Sequence, residues 1–185
     1  MAYIQTIEPE QARGELKTIY DNLIKTRGKI AEVHKIQSLN PEALVAHMDL
    51  YMTIMFGKSP LKRYQREMLG VVVSAANRCS YCINHHEQAL LAYWKDVKKT
   101  DMLISGRSKM DLSETDHLLC DFAEDLTISA EQDYSGHMKK LKEAGLEDRA
   151  ILDAVQVIAY FNFVNRMVLG LGVEFTEEEM KGYKY

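Results

Sequence analysis

Cysteine, proline, long apolar runs and concentrated basic charge are all scarce in this chain, and each shortage closes off a class of protein. Three cysteines in 185 residues are too few for a disulfide framework and point to catalysis or metal binding instead. The 23 lysines and arginines face 27 aspartates and glutamates, a formal charge of -4 without a basic run, which argues against a nucleic-acid partner. The start, Met1-Ala2-Tyr3-Ile4-Gln5, has no cationic stretch followed by an apolar one, so no secretory signal is expected. The longest apolar region, 154–164, is interrupted by Gln156 and Asn162 and is too short to span a bilayer. There is no Pro/Gly-rich linker and no glycine loop that could cradle a phosphate. With 46% hydrophobic residues, one globular domain over residues 1–185, in the cytoplasm, is the expectation.

Strand signals are nearly absent, whereas helix signals run from end to end. Each of the three prolines, in Glu8-Pro9, Asn40-Pro41 and Ser59-Pro60, precedes an amphipathic pattern and marks a helix start, because proline at the first helical position costs no hydrogen bond. Ser113-Glu114-Thr115-Asp116 and Ser129-Ala130-Glu131-Gln132 have the form of capping boxes, and Gly145 suits a helix terminator. The resulting reading is all-α, with helices over 9–26, 41–56, 60–77, 79–94, 97–104, 113–127, 130–144 and 147–170. Leu118, Phe122 and Leu126 repeat every four residues, as do Ile151, Val155 and, nearby, Ile158 and Phe161, which makes these core faces. Ala154, Val157 and Val164 lie off the second stripe, so the last helix is central or at a subunit contact. Sliding the chain by 83 residues sets Cys79 and Cys82 against Asn162 and Asn165, a weak self-similarity that suggests a duplicated helical hairpin without thiols in its second copy.

The chemistry is concentrated in Asn77-Arg78-Cys79-Ser80-Tyr81-Cys82-Ile83-Asn84-His85-His86. A C-x-x-C pair can close a disulfide within one helical turn, and one sulfur of such a pair commonly has a lowered pKa. On a helix starting at Cys79, the two thiols and His86 share a face, and the thiols occupy the first turn, where free N–H groups favour a thiolate. Glu67 lies twelve residues ahead of Cys79, about 18 Å on a straight helix, so it cannot reach the thiols along one helix. A helical hairpin turning near Asn77 would instead bring Glu67 opposite His86. The carboxylate would then orient an imidazole that takes the proton of Cys82.

The order Glu67, Cys79, Cys82, His86 at these spacings resembles the alkyl hydroperoxidase D group of the carboxymuconolactone decarboxylase superfamily, most closely its peroxidase-related branch. The likeness is strongest over residues 63–91 and weaker over 7–174. It implies Cys82 as the thiol that attacks a hydroperoxide, Cys79 as the resolving thiol, and His86 with Glu67 as the proton relay. It also implies an external dithiol reductant, a homo-oligomer (trimers or multiples of them), and no metal, flavin or haem. The best-known family members carry a histidine just before the second cysteine, where this chain has Tyr81. That departure makes Tyr81 and the extra imidazole His85 candidate accessory groups.

Three other readings compete with the peroxidase. The same pair could serve a disulfide reductase or redox adaptor that uses no peroxide. Cys79, Cys82 and His85 or His86 could hold zinc in a binding module, although no second C-x-x-C or H-x3-H supplies a fourth ligand. A decarboxylase fits least, because that chemistry is not built on a C-x-x-C pair. Elsewhere, Cys120 is read as a core residue, His34, His47, His117 and His137 have no partner at chemical spacing, and Met48, Tyr51, Met52 and Met55 form a stripe for the core or a subunit interface. Taken alone, Glu67 beside Arg63 and Arg66 would read as a solvated helix residue.

Overall fold

In the computed structural model, which describes residues 2–107, 110–174 and 179, every regular element among the described residues is a helix. In chain order these are α1 Gly14–Arg27, α2 Glu32–Lys35, α3 Pro41–Phe56, α4 Arg63–Ala76, α5 Ser80–Trp94, α6 Val97–Ser105, α7 Glu114–Ile128, α8 Ser135–Glu143 and α9 Asp148–Gly170. Only Pro41 of the three prolines opens a helix directly: it stands in the first turn of α3 behind Asn40, whose side chain accepts from the Ala43 N–H at 3.1 Å. Pro9 sits in a turn closed by Gln11 N–H on Glu8 O, so α1 waits until Gly14. α4 starts at Arg63, because the Gln65 side chain turns back to accept from the Lys62 N–H at 2.9 Å and fixes the helix entry there.

Ser113 caps α7 by accepting from the Asp116 N–H, but Ser129 opens no helix. It terminates α7, accepts from the Tyr134 hydroxyl at 2.7 Å, and α8 begins only at Ser135, whose N–H is taken by Asp133. Gly145 ends α8 in the left-handed region at φ 88, where a side chain would be strained. The short α2 had no periodic signal, being one turn long.

α4 is the axis of the fold. Every residue from Gln65 to Ser74 is buried, because α5, α7 and α9 all pack against it, with α3 and α6 at its sides. Gly70 lets α9 approach: a Cβ there would stand 2.8 Å from the Phe161 ring. α9 buries a wide face, Ala154, Val157, Ile158, Phe161, Val164 and Asn165 among them, as an all-round apolar helix requires, while Leu152, Phe163 and Leu169 stay exposed. A smaller cluster of Leu16, Tyr20, Leu23 and Leu44 joins α1 to α3.

The expected hairpin forms once, from α4 and α5. Arg78 turns the chain in the left-handed region at φ 56, and the Cys79 N–H bonds to Ser74 O at 2.9 Å. At the 83-residue offset there is no second hairpin, since α9 runs unbroken through 160–162, where the copy would turn. Asn162 and Asn165 instead receive the first turn: the Asn77 amide donates to both, at 3.0 and 3.1 Å.

Candidate active site

The turn between α4 and α5 leaves Cys79 at the N-cap of α5 and Cys82 in its first turn. Both are free thiols and both are buried. They ionise as a pair. The Cys82 thiol donates to the Cys79 sulfur, which holds Cys79 below the ordinary thiol range against the opposing effect of burial, and the Cys82 backbone N–H adds to the same effect. Cys82 is pushed up well above that range: its proton is engaged by Cys79, it is buried, and it would ionise beside an existing negative charge, with the Asn165 amide offsetting only part. Asn165 in turn donates to Ser74 Oγ at 3.3 Å, so α9 anchors the back of the dithiol.

Glu67 and His86 meet across the hairpin, with His86 Nδ1 2.7 Å from Glu67 Oε2. Glu67 is 1% exposed, far from a solvated helix residue. Its other oxygen pairs with Arg63, one turn earlier on α4, at 2.5 Å. Burial pushes the Glu67 pKa up, but His86 and Arg63 outweigh it and hold the group below its ordinary value, as a carboxylate. The His86 ring meets the Phe161 ring edge-on at 4.3 Å, which with the Nδ1 bond fixes its plane and leaves Nε2 for other partners.

A second carboxylate was not visible in the sequence. Glu179 accepts from the Tyr81 hydroxyl at 2.5 Å and from the Glu32 N–H at 2.9 Å, and lies 3.3 Å from His85 Nε2. The Tyr81 oxygen also accepts from the Val33 N–H at 3.1 Å. Burial raises the Glu179 pKa, and the bonds from His85, Tyr81 and Glu32 lower it further than burial raises it. His85 is lowered, chiefly by burial, with Glu179 opposing. Its ring lies 4.6 Å from that of Tyr81.

In front of these groups lies a cavity of about 90 Å³. Cys82, Glu67, His85, His86 and Tyr81 line it, and Cys79 does not. The far wall is built from residues the sequence reading gave other roles: Met48 and Tyr51 of α3, expected in the core or at an interface, and His34 and His47, read as unpartnered. His47 Nε2 is 2.5 Å from the Tyr160 hydroxyl and its Nδ1 reaches Gln37, while His34 Nδ1 accepts from the Ala31 N–H at 3.2 Å. Burial lowers His34 to about 3 and His47 to about 4, so both rings are neutral at pH 7. Cys120 lies in the core away from this cavity, pushed up to about 12 by burial. Among the described residues no group of three His, Cys, Asp or Glu side chains is placed to hold a metal ion. None of the helices described is long and apolar enough to cross a membrane.

A sequence profile of the Carboxymuconolactone decarboxylase family matches residues 41–96, the segment that contains Glu67, Cys79, Tyr81, Cys82, His85 and His86. No curated protein matches the chain. Among solved structures, an uncharacterized peroxidase-related protein from Silicibacter sp. TM1040 is 25% identical with a TM-score of 0.83, over 98% of this chain and 93% of that one. A second, described as an alkylhydroperoxidase AhpD core and peroxidase-related protein from Ralstonia eutropha JMP134, is 22% identical with a TM-score of 0.86, over 97% and 94%. The debrominase Bmp8 shares the fold at 17% identity and a TM-score of 0.78, over 94% of this chain and 92% of its own. The matched segment covers under a third of the chain; together with the shared all-helical fold it makes the chain similar to the alkylhydroperoxidase D-like proteins of the carboxymuconolactone decarboxylase superfamily.

Proposed function

We propose that the protein is a thiol-dependent peroxidase that reduces organic hydroperoxides through a dithiol/disulfide cycle. The observation that carries this reading is the placement of Cys82 on the cavity wall with the Glu67-bound His86, and of Cys79 buried behind it outside the cavity. In the reacting form one proton is shared between the sulfurs and the other is carried by His86, opposite the Glu67 carboxylate. As Cys82 attacks the terminal oxygen of the hydroperoxide, its proton moves to Cys79. The O–O bond breaks, Cys82 becomes a sulfenic acid, and the alkoxide leaves with the proton of His86 as an alcohol. Cys79 then attacks the Cys82 sulfur, and its proton leaves with the hydroxyl as water, giving the disulfide. An external dithiol restores both thiols, so the cycle belongs in a reducing compartment such as the cytoplasm.

Glu67 acts by holding the imidazole in one tautomer and orientation. Tyr81 and His85 border the same space and are accessory groups, Tyr81 as a hydroxyl donor rather than a base at neutral pH. Exposed apolar side chains on α3 and α9, such as Leu50, Met52, Phe163 and Leu169, support assembly into a homo-oligomer, a trimer or hexamer, which light scattering during size-exclusion chromatography would resolve. A second reading keeps the dithiol and changes the substrate: the cavity is walled by aromatic rings, and a cysteine-to-alanine variant of the similar fold Bmp8 was crystallised with 2,3,4-tribromopyrrole. The deciding experiment trades the two thiols in turn. Cys82→Ser should abolish consumption of cumene hydroperoxide, and Cys79→Ser should give a dimedone-reactive sulfenic acid at position 82 in a single turnover. Dimedone label on Cys79 alone would reverse the assignment of the two thiols, and debromination of tribromopyrrole with no peroxide consumption would favour the second reading.

A further inference from the structure

The cavity carries one more positive charge than its own carboxylate answers. Arg63 and Arg27 both line it, and Glu67 is the only carboxylate among the described lining residues. Arg63 is paired with that carboxylate at 2.5 Å and lies over the Phe56 ring at 4.1 Å. Arg27, at the C-terminal end of α1, has no acidic partner among the described residues. Its guanidinium lies 5.2 Å from the Tyr51 ring centroid and 5.6 Å from that of Phe56. Its polar contacts are long ones, 3.5 Å to the Tyr51 hydroxyl and 3.9 Å to the Met52 sulfur, and its Nε is buried with no hydrogen-bond partner. Arg27 is only partly buried, so the two rings and water share its guanidinium, and it borders the cavity with open donors and no anion on them among the described residues. Behind the Tyr81 and His85 wall stands the Glu179 carboxylate, already engaged by both residues and by the Glu32 N–H. His34 and His47 are neutral, and the remainder is largely apolar, including Val33, Tyr160, Phe161 and Val164.

We infer that Arg27 is a substrate-anchoring residue and that the cavity takes small, anionic, ring-bearing or otherwise apolar molecules, a carboxylate seated on the Arg27 guanidinium and the hydroperoxide carried on toward Cys82. This rests on the peroxidase reading for the reacting group, but not for the anion. The space, about six to nine water-sized positions, suits a single aromatic ring with short substituents. The planar fork of the arginine matches a carboxylate through two parallel hydrogen bonds, while Tyr51 and Phe56 keep the guanidinium in place and partly desolvated. The bland alternative is that Arg27 merely closes the C-terminus of α1 by stacking on α3.

Two measurements separate these. The first is binding of benzoate and of the uncharged benzamide to the reduced protein, followed by calorimetry and by protection of Cys82 against iodoacetamide. Benzoate should bind at least about tenfold tighter, the scale of a charge-assisted hydrogen bond, and Arg27→Gln should erase the difference while Arg27→Lys keeps part of it. The second is the rate with 4-carboxycumene hydroperoxide relative to cumene hydroperoxide, a ratio that should fall by about ten- to a hundredfold in Arg27→Gln. Equal binding of benzoate and benzamide to the unsubstituted protein overturns the inference, whatever the variants do. Preferential benzoate binding that Arg27→Gln removes, in a protein that consumes neither hydroperoxide, upholds the anion site and sinks the peroxidase reading instead. Turnover of both hydroperoxides at one rate, without a benzoate preference, does the reverse.

Discussion

Two carboxylate–imidazole pairs flank Cys82, and they are made in opposite ways. Glu67 and His86 are 19 residues apart on one helical hairpin, so the register of α4 against α5 is enough to bring them together. Glu179 reaches Tyr81 across 98 residues of sequence and reaches His85 beside it. The first pair is buttressed on both sides, by Arg63 at the carboxylate and by Phe161 at the ring. The second is held by the backbone N–H of Glu32, at the start of α2. The contrast teaches that a pair fixed by helix register has a geometry legible in local sequence, whereas a pair closed by a distant residue depends on tertiary packing. Loss of the first pair should show in chemistry and loss of the second mainly in structure.

The largest expected effect falls on the wall that both pairs share. His34 and His47 titrate at about 3 and about 4 in the folded protein, below the 6.5 of an unfolded chain, so at pH below 6.5 the unfolded state takes up protons that the folded state refuses. Stability is thus present in full above pH 6.5 and falls as the pH drops toward 4, by about 1.4 kcal/mol per pH unit for each histidine. Urea unfolding at pH 7, 6 and 5 should show this slope, and His47→Gln should flatten it by about half. An unchanged slope in the variant would mean that His47 is open to protonation in the folded state.

Next in size is the contrast between the two imidazoles. His86→Ala should lower the second-order rate with hydroperoxide by roughly 10²-fold or more, the usual scale for a lost acid–base group, and His85→Ala should cost far less. Stopped-flow consumption of cumene hydroperoxide compares them directly, and equal losses, or a larger one at His85, would dissolve the distinction between the pairs.

The carboxylates give the smallest and most discriminating effect. Removing the charge of Glu67 weakens the site that receives the proton of the dithiol, so Glu67→Gln should slow iodoacetamide alkylation at pH 7 by about tenfold and move its pH profile upward. Glu179→Gln should change that rate by no more than about two- to threefold while lowering the thermal midpoint, because its role is to tie Tyr81 and the Glu32 N–H in place. A larger alkylation defect in Glu179→Gln than in Glu67→Gln would make the distant pair the working relay.

Much of the near side of the site was legible because helical periodicity is local. Glu67, Cys79, Cys82 and His86 lie within one hairpin, and the turn at Asn77 follows from a polar break between two amphipathic runs. The helix starts were read less well where a proline or serine opens a turn rather than a helix, as at Pro9, Pro60 and Ser129, since the deciding hydrogen bonds come from Glu8, Gln65 and Asp133. The self-similarity at 83 residues does not correspond to a second hairpin. Asn162 and Asn165 align with the cysteines in sequence and, on unbroken α9, receive the cysteine turn through Asn77. The far wall gave no signal at all. Tyr51, His47 and Met48 have the composition of any buried helix face, and nothing in α3 by itself marks the side that faces Cys82.

Sequence alone determined the helical class, the dithiol, and the register that sets Glu67 opposite His86, since each depends on spacing within a few helical turns and on backbone hydrogen bonds that close locally. Tertiary structure decided which sulfur meets the cavity, that His34 and His47 are buried and neutral, that Glu179 joins Tyr81, and that Arg27 has no acidic partner among the described residues. Those properties arise where α1, α3, α5 and α9 converge, and desolvation and long-range pairing there depend on what packs against a side chain rather than on its neighbours in the chain.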